Sequence, residues 1–325
     1  MTDRPRLALL IPAYNAAAYL PRLLESAGHQ TEPFDEVWVY DDCSTDETAA
    51  VAERYGARVV RGDINRGCTH GKSILVERTS CEWVHFHDAD DLLLPNFIAC
   101  SHRWLGHEGV DVIVFGCEER WETAGELISV SVPDDSMLAV DPIGYTINHK
   151  INAISGLYRR SAFLQAGGFD LDPEVHFNED EACHCKLARA GLRFRGDPNV
   201  TVVNLRRQTS MWTANRDKAM RAHYHVMRKA LAGPRGQLHT SAITKELWLV
   251  VAGAASQLDW RTADDAAALA MQLAGPSVAP SGRLFKNLCR LSPRIALRAR
   301  EWLIRSLKPH LRDGYPGWRA PVSLI

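Results

Sequence analysis

The chain has 325 residues, which suits one sizeable domain with a smaller appendage, and its 38 Lys and Arg nearly balance its 39 Asp and Glu. This balance gives no global attraction to a polyanion, so we expect no nucleic-acid partner. The first apolar run, residues 7–13, is too short for a secretory leader, and no run approaches the length of a membrane span. The eight cysteines form no CxxC pair, which favours a reduced, cytoplasmic chain. Cys183, His184 and Cys185, with His176 nearby, lack the usual spacing of zinc ligands.

Between residues 6 and 115 short apolar runs alternate with amphipathic segments, which is the pattern of a parallel sheet flanked by helices. The predicted strands are 7–12, 36–40, 58–61, 83–87 and 112–115. The predicted helices are 17–26, 46–55, 69–80 and 95–105, and Thr45 is the expected N-cap of the second. From 118 to 208 the pattern is mixed, with one clear helix at 179–190. We interpret this stretch as a second half of the same domain.

Beyond residue 210 the chain is predicted to be helical, so we expect an α/β domain over residues 1–210 and a helical extension over 211–325. The predicted helices are 215–231, 241–257 and 262–273, followed by a last helix that begins at Ser292 and Pro293 and stops before Pro309.

Residues 283–312 are strongly basic, and their cations recur on one helical face: Arg294, Arg298, Arg305, Lys308 and Arg312. The opposite side is apolar: Ile295, Ala299, Trp302, Leu303 and Leu307. A basic amphipathic helix can lie on an anionic membrane surface as a peripheral contact. The alternative is a helix whose apolar side packs on the core and whose basic face is solvated.

The most informative motif is residues 83–91, where a mostly apolar strand ends in Asp88, Asp90 and Asp91. Carboxylates this close repel one another at neutral pH, and a divalent cation with oxygen ligands relieves that repulsion. The alternative interpretation is a solvated acidic turn.

Two further strand ends carry polar residues. Tyr14 and Asn15 follow the first predicted strand, and Asp41 and Asp42 follow the second. Since ligands of open α/β sheets bind beyond the carboxyl ends of strands, we expect these residues to meet the acidic cluster at one edge. There a carboxylate can accept from a ribose hydroxyl or a base N–H, and Tyr14 can offer an aromatic face to the base. Taken singly, each motif is also compatible with an ordinary turn, a helix cap or packing.

A phosphate loop is excluded at residues 65–73. Gly67 to Gly71 leaves one residue too few for the G-x-x-x-x-G-K-[ST] pattern, and Arg66 occupies a required glycine position. Arg66 and Lys72 remain candidates for contacts with a diphosphate, and ordinary exposed cations are the alternative.

Taken in order, these motifs resemble those of the family 2 glycosyltransferases with the GT-A fold, over about residues 7–210. The resemblance rests on Ile11-Pro12-Ala13-Tyr14-Asn15, Asp41-Asp42-Cys43-Ser44-Thr45-Asp46, Asn65-Arg66-Gly67, Asp88-Ala89-Asp90-Asp91, Ser155-Gly156-Leu157-Tyr158-Arg159-Arg160, Gly167-Gly168-Phe169-Asp170 and Asn178-Glu179-Asp180-Glu181. Each motif alone is weak, but the ordered set is specific.

The resemblance implies a Rossmann-like nucleotide-diphospho-sugar transferase fold with a mostly parallel central sheet. It also implies a metal-dependent, inverting transfer of a sugar from a UDP- or GDP-sugar to a hydroxyl of a glycan or lipid-linked acceptor, in polysaccharide or glycoconjugate biosynthesis. Asp90 matches the direct ligand of Mg²⁺ or Mn²⁺, Asp88 lies near the metal and the sugar or ribose, and Asp180 matches the catalytic base.

The other positions carried over from the family fall into three groups. Those on the donor side are Pro12, Tyr14, Asn15, Asp42, Asn65, Gly67, Lys72 and Asp88. Those on the acceptor side are Gly167, Gly168 and Glu179. Those near the diphosphate are Arg206, Arg207 and Gln208.

One departure from the family pattern concerns the diphosphate. The family often has Arg-x-His where this chain has Arg206-Arg207-Gln208, and Gln208 cannot supply a positive charge. Arg206 or Arg207 is expected to supply it instead.

Two other classes were weighed. A haloacid-dehalogenase phosphatase is disfavoured, because Leu92 stands where that class has Thr or Val and because several predicted strands precede the Asp-x-Asp. A glycosyltransferase-like domain that binds nucleotide or glycan without turnover, or serves in assembly, is the non-enzymatic alternative. Intact Asp90 and Asp180 argue against it. The sequence assigns no role to Asp91.

Overall fold

The computed structural model describes residues 4–207, 215–275, 279 and 282–312. The chain forms two compact units, one of Met1–Leu171 with Glu179–Arg207 and the other of Asp172–Asn178 with Gln208–Ile325. The division after Arg207 lies close to the predicted boundary at residue 210. That residues 172–178 join the second unit was not indicated by the residue pattern.

The first unit is built on a nine-stranded sheet whose first half is parallel. Its strands are β1 (Leu7–Ala13), β2 (Glu36–Asp41), β3 (Arg58–Arg61) and β4 (Trp83–Phe86), in the spatial order β3-β2-β1-β4. Every residue of β1 is buried, which explains its unbroken apolar run, because a central parallel strand is covered on both faces. The predicted parallel sheet is confirmed here.

The second half of the sheet is mixed. It contains β5 (Leu92–Leu93), β6 (Val112–Trp121), β7 (Leu127–Ser131), β8 (Gly156–Arg159) and β9 (Phe194–Arg206). The order continues β4-β8-β6-β9-β5, with β7 on β6. β8 is antiparallel to β4 and β6, whereas β9 runs parallel to β6. The expected α/β class is therefore present, with antiparallel pairs that the mixed pattern after residue 118 did not resolve.

Eight helices of the first unit connect these strands in the described residues: α1 (Leu20–Gly28), α2 (Thr48–Arg54), α3 (Cys68–Arg78), α4 (Phe97–Leu105), α5 (Asp135–Val140), α6 (Pro142–Asn148), α7 (Arg160–Gln165) and α8 (Glu179–Ala190). The predicted cap at Thr45 is wrong, because α2 begins at Thr48 and the Thr48 N–H donates to Asp46 at 3.0 Å. Gly71 lets α3 approach the sheet, since a Cβ there would lie 2.7 Å from the Tyr40 ring.

The second unit is helical, as predicted. Its helices are α9 (Arg216–Leu231), α10 (Pro234–Gln237), α11 (Thr240–Ser256), α12 (Trp260–Ala274), α13 (Arg283–Leu291) and α14 (Pro293–Leu307). Small side chains, Ala254, Ala255 and Ala263, let α11 and α12 pack closely. α14 begins where predicted, with the Ser292 hydroxyl accepting from the Ile295 N–H. Among the described helices, none combines the length and apolarity needed to cross a bilayer.

Candidate active site

The parallel register brings three polar strand ends to one edge of the sheet. Ala13 at the end of β1 pairs with Asp41 at the end of β2, and Leu10 pairs with Phe86 at the end of β4. The residues that follow these strands therefore lie side by side, as expected for the carboxyl ends of parallel strands.

Asp42 is buried and positions the loop at residues 65–67. Its Oδ1 accepts from the Arg66 N–H at 2.9 Å, and its Oδ2 accepts from the Gly67 N–H at 2.7 Å. Gly67 has φ +89°, a left-handed conformation that favours glycine. Asp42 thus orders the loop at residues 65–67. From the sequence we expect only a contact between Asp42 and the nucleotide.

Asn15 has a similar structural function. Its side-chain oxygen accepts from the Thr45 N–H at 2.9 Å, and its own N–H donates to the Ser44 hydroxyl at 2.9 Å. Tyr14 beside it is 50% exposed, so its ring is open to a ligand. Pro12 is buried against α3, whereas Asn65 is exposed.

Lys72 is a buried counter-ion of the acidic turn. Its side chain is 3% exposed, and its Nζ lies 2.9 Å from Asp88 Oδ1. Burial by itself would lower the pKa of Lys72, but the Asp88 and Asp180 carboxylates outweigh it and raise that pKa. Lys72 is therefore not the exposed cation that the sequence left open, because its ammonium is buried against Asp88.

Asp90 is paired with Arg207, the last residue of the first unit along the chain. Arg207 Nη1 lies 3.0 Å from Asp90 Oδ2, its Nε donates to Glu122, and its guanidinium stacks over Tyr19 at 3.9 Å. Burial raises the pKa of Asp90, the Asp88 carboxylate adds to the rise, and Arg207 opposes it. Arg207 therefore lies beside the acidic turn, where a diphosphate is expected.

The two neighbours of Arg207 differ from it. Arg206 Nε donates to Glu119 Oε1 at 3.0 Å across the β6–β9 pair, so that side chain stabilises the sheet. Gln208 lies outside the described residues.

Asp91, which had no assigned role, joins the acidic turn to β9. It is buried, its Oδ1 accepts from the Leu205 N–H at 2.7 Å, and its Oδ2 accepts from the Asn204 amide at 2.8 Å. Burial raises the pKa of Asp91 well above its usual range, and Asp90 and Asp88 add to the rise. The third carboxylate is thus structural.

Asp91→Ala is expected to lower the free energy of unfolding by about 2–4 kcal/mol, because it leaves two partly buried donors without their acceptor. Urea denaturation followed by circular dichroism measures the loss. Asp90→Ala is the matched control, since its partly exposed ion pair should change stability by less than about 1 kcal/mol. Equal losses in the two variants would contradict the structural role of Asp91.

The acidic turn has the chemistry of a partial site for a hard cation. Lys72 contacts Oδ1 of Asp88, and Arg207 contacts Oδ2 of Asp90. Neither contact involves the second oxygen of that carboxylate. The described residues contain no group of three or more His, Cys, Asp or Glu side chains arranged around a common point. Two carboxylates fit Mg²⁺ or Mn²⁺ when phosphate oxygens and water complete the coordination.

Asp180 stands at the start of α8 with a defined environment. Its Oδ2 accepts from the Ala153 N–H at 3.0 Å. Burial raises the pKa of Asp180, the Lys72 ammonium opposes the rise, and Asp88 adds to it. A carboxylate with a raised pKa is a stronger base than an exposed one, which suits a residue that takes a proton.

A hydrogen-bond chain behind Asp180 fixes the first turn of α8. The Asp180 carbonyl accepts from His184 Nδ1 at 2.7 Å, and the Tyr158 hydroxyl lies 2.8 Å from His184 Nε2. Burial lowers the pKa of His184 to about 4, so the ring is neutral and Tyr158 is the donor to Nε2. The sequence pattern identified neither residue as a support of Asp180.

The residues expected on the acceptor side lie on α8 or contact it. Gly167 and Gly168 have φ +84° and +58°, and Lys186 of α8 donates to the Gly167 carbonyl at 2.6 Å. Glu179 precedes Asp180 in α8. Cys183 and Cys185 are buried in the same helix.

Comparison with known proteins shows which proteins the chain resembles. Residues 8–138 match the model of glycosyl transferase family 2. An uncharacterized glycosyltransferase of Haemophilus influenzae is 34% identical over 91 residues, which are 27% of this chain and 31% of the relative. The structure of S. aureus TarS 1–349 in complex with UDP-GlcNAc aligns with a TM-score of 0.64 at 17% identity, over 93% of this chain and 92% of TarS 1–349.

A second solved structure supports the same fold. The mannosyltransferase PcManGT from Pyrobaculum calidifontis, in complex with GDP-Man and Mn²⁺, aligns with a TM-score of 0.60 at 22% identity, over 95% of this chain and 83% of that protein. The chain spans between 31% and 54% of the length of the first curated relatives it matches. Residues 8–138 therefore resemble family 2 glycosyltransferases, and the chain has the GT-A fold of these solved glycosyltransferases.

Proposed function

We propose that the protein is a metal-dependent, inverting glycosyltransferase that moves a sugar from a UDP- or GDP-sugar to a hydroxyl of a glycan or lipid-linked acceptor. The observation that carries the proposal is the position of Asp88 and Asp180 near the buried Lys72, with Asp90 close to Asp88 and paired with Arg207. The family match and the sugar nucleotides bound to TarS and PcManGT support a nucleotide-sugar donor.

The donor is proposed to bind across the strand ends. Tyr14 offers its exposed ring to the base, and the loop ordered by Asp42 borders the nucleotide. A bound Mg²⁺ or Mn²⁺, held by Asp90 and Asp88, would neutralise charge on the leaving diphosphate. Arg207 would exchange its contact with Asp90 for a phosphate oxygen, to which a guanidinium can donate two parallel bonds.

Asp180 is proposed to take the proton of the acceptor hydroxyl. The hydroxyl oxygen then forms a bond to the anomeric carbon, and the bond from that carbon to the diphosphate oxygen breaks on the opposite face. One base and one displacement invert the anomeric centre. A turn of α8 held by Ala153 and His184 keeps the carboxylate in place for this transfer.

A donor panel tests the proposal on the full chain. With Mn²⁺, one class of UDP- or GDP-sugar is expected to raise the melting temperature by about 3 °C or more at saturating concentration, since ligand binding to the native state stabilises it. The same donor should release its nucleoside diphosphate when a hydroxyl acceptor is added. A panel of UDP- and GDP-sugars that leaves the melting temperature unchanged would contradict the proposal, and binding without release would favour the non-enzymatic alternative.

A further inference from the structure

The helices α13 and α14 turn large apolar side chains to solvent. Seven side chains between residues 284 and 311 are 42–85% exposed: Leu284, Leu291, Ile295, Trp302, Leu303, Leu307 and Leu311. On α13, Leu284 and Leu291 are seven residues apart and share a face, and on α14 the same holds for Ile295 and Trp302. A run of this kind on two successive helices marks an interaction surface rather than scattered exposure.

The basic side of α14 is exposed to solvent, and its arginines are also ion-paired. Arg294 and Arg298 both lie near Asp264 of α12, at 3.3 Å and 3.0 Å. Arg305 and Arg312 both bond to Glu301, at 2.9 Å and 2.7 Å. Ion pairs, and not the predicted apolar side, thus help hold α14 within the second unit.

The same segment carries an uncompensated positive charge. Residues 283–312 contain nine Lys and Arg and one acid, Glu301. Within the described part of the chain, five of these cations form no ion pair with an acid: Arg283, Lys286, Arg290, Arg300 and Lys308. Asp264 and Glu301 each pair with two arginines, so positive charge exceeds negative charge even among the ion-paired residues.

We propose that the exposed faces of α13 and α14 form a docking surface for a bilayer that contains anionic lipids. The apolar side chains would enter the boundary between headgroups and acyl chains, and the excess cations would attract the anionic headgroups. A second copy of the chain suits this surface poorly, because pairing two such segments would bring two excesses of positive charge together. The surface does not depend on the transferase proposal, since it involves none of the candidate active-site residues.

Vesicle flotation of the full chain tests the proposal. We expect binding to vesicles of phosphatidylcholine with phosphatidylglycerol, weak binding to phosphatidylcholine alone, and release at high salt, where screening shortens the electrostatic range. Trp302→Asp with Leu307→Asp should lower the bound-to-free ratio by about tenfold or more, because two inserted apolar groups are replaced by charges. Both residues are exposed, so the double variant should keep the wild-type melting temperature.

Leu238→Asp is the matched control, since this leucine of the second unit is 82% exposed and lies outside residues 283–312. It should float like the wild type. A wild-type chain that stays unbound with anionic vesicles, or a double variant that floats equally well, would overturn the proposal. So would light scattering that reveals a dimer of the free chain which the double variant dissociates, because the occupant would then be a second copy.

Discussion

Replacing Asp180 with Asn is expected to slow sugar transfer by about 10²–10⁴-fold, because the acceptor hydroxyl loses the group that takes its proton. Asn has nearly the same shape and keeps an acceptor for the Ala153 N–H, so the start of α8 should stay in place. Donor affinity should therefore change little. Initial rates of nucleoside diphosphate release and titration calorimetry with the donor separate the two effects.

The pH dependence gives a second readout for the same residue. Asp180 acts only when deprotonated, so the wild-type rate should fall as the pH drops through its native pKa. Because burial raises this pKa, the fall should begin at a higher pH than for an exposed aspartate. The residual rate of Asp180→Asn should lack this acidic limb.

The control is the same substitution at an exposed position of the second unit. Asp265→Asn should keep the wild-type rate and pH profile. Transfer by Asp180→Asn at close to the wild-type rate would remove Asp180 from the role of base.

Replacing Asp90 with Ala is expected to abolish the metal-dependent part of donor binding. Nucleoside diphosphate affinity in Mn²⁺ should fall by about 100-fold or more. Loss of a residue that only supports a metal ligand lowers metal affinity by about 10–100-fold, and loss of a direct ligand should lower it at least as much. The variant in Mn²⁺ should bind the diphosphate as weakly as the wild type does in EDTA. Titration calorimetry under both conditions measures the difference.

Asp265→Ala is the control for this second substitution and should retain the difference between Mn²⁺ and EDTA. An Asp90→Ala chain that still binds the diphosphate more tightly with Mn²⁺ would place the metal elsewhere. If the wild type itself bound the diphosphate equally well in Mn²⁺ and EDTA, the proposed metal dependence would be wrong. Metal-independent sugar transfer would then still be tested by Asp180→Asn.

The sequence could predict the parallel half of the sheet because its signals are local. An apolar run followed by a polar turn and an amphipathic segment is visible within about 20 residues, and the strands 7–12 and 36–40 were found in this way. The helix at 179–190 was predicted with the bounds that the structure has. The antiparallel strands β7 and β8 were missed, because β7 is exposed along its whole length and β8 has only four residues.

The location of Asp88, Asp90 and Asp91 after a buried strand could be predicted from the sequence, but the structural role of each could not. Three carboxylates within four positions look alike in the sequence, yet Asp91 receives its donors from Asn204 and Leu205, which are more than 110 positions away. The buried state of Lys72 likewise depends on how α3 packs on β1 and β2, where Gly71 permits the close approach. Such partners are set by the fold and leave no local pattern.

The sequence by itself determined the strands of the parallel half, the edge at which the polar motifs meet and the family that these motifs resemble. Tertiary structure decided that Asp91 holds β9 whereas Asp88 and Asp90 pair with cations. It also turned the apolar side of α14 outward while its arginines pair with Asp264 and Glu301. The physical reason is that hydrophobic periodicity acts between near neighbours, whereas burial and ion pairing depend on groups that only the folded chain brings together.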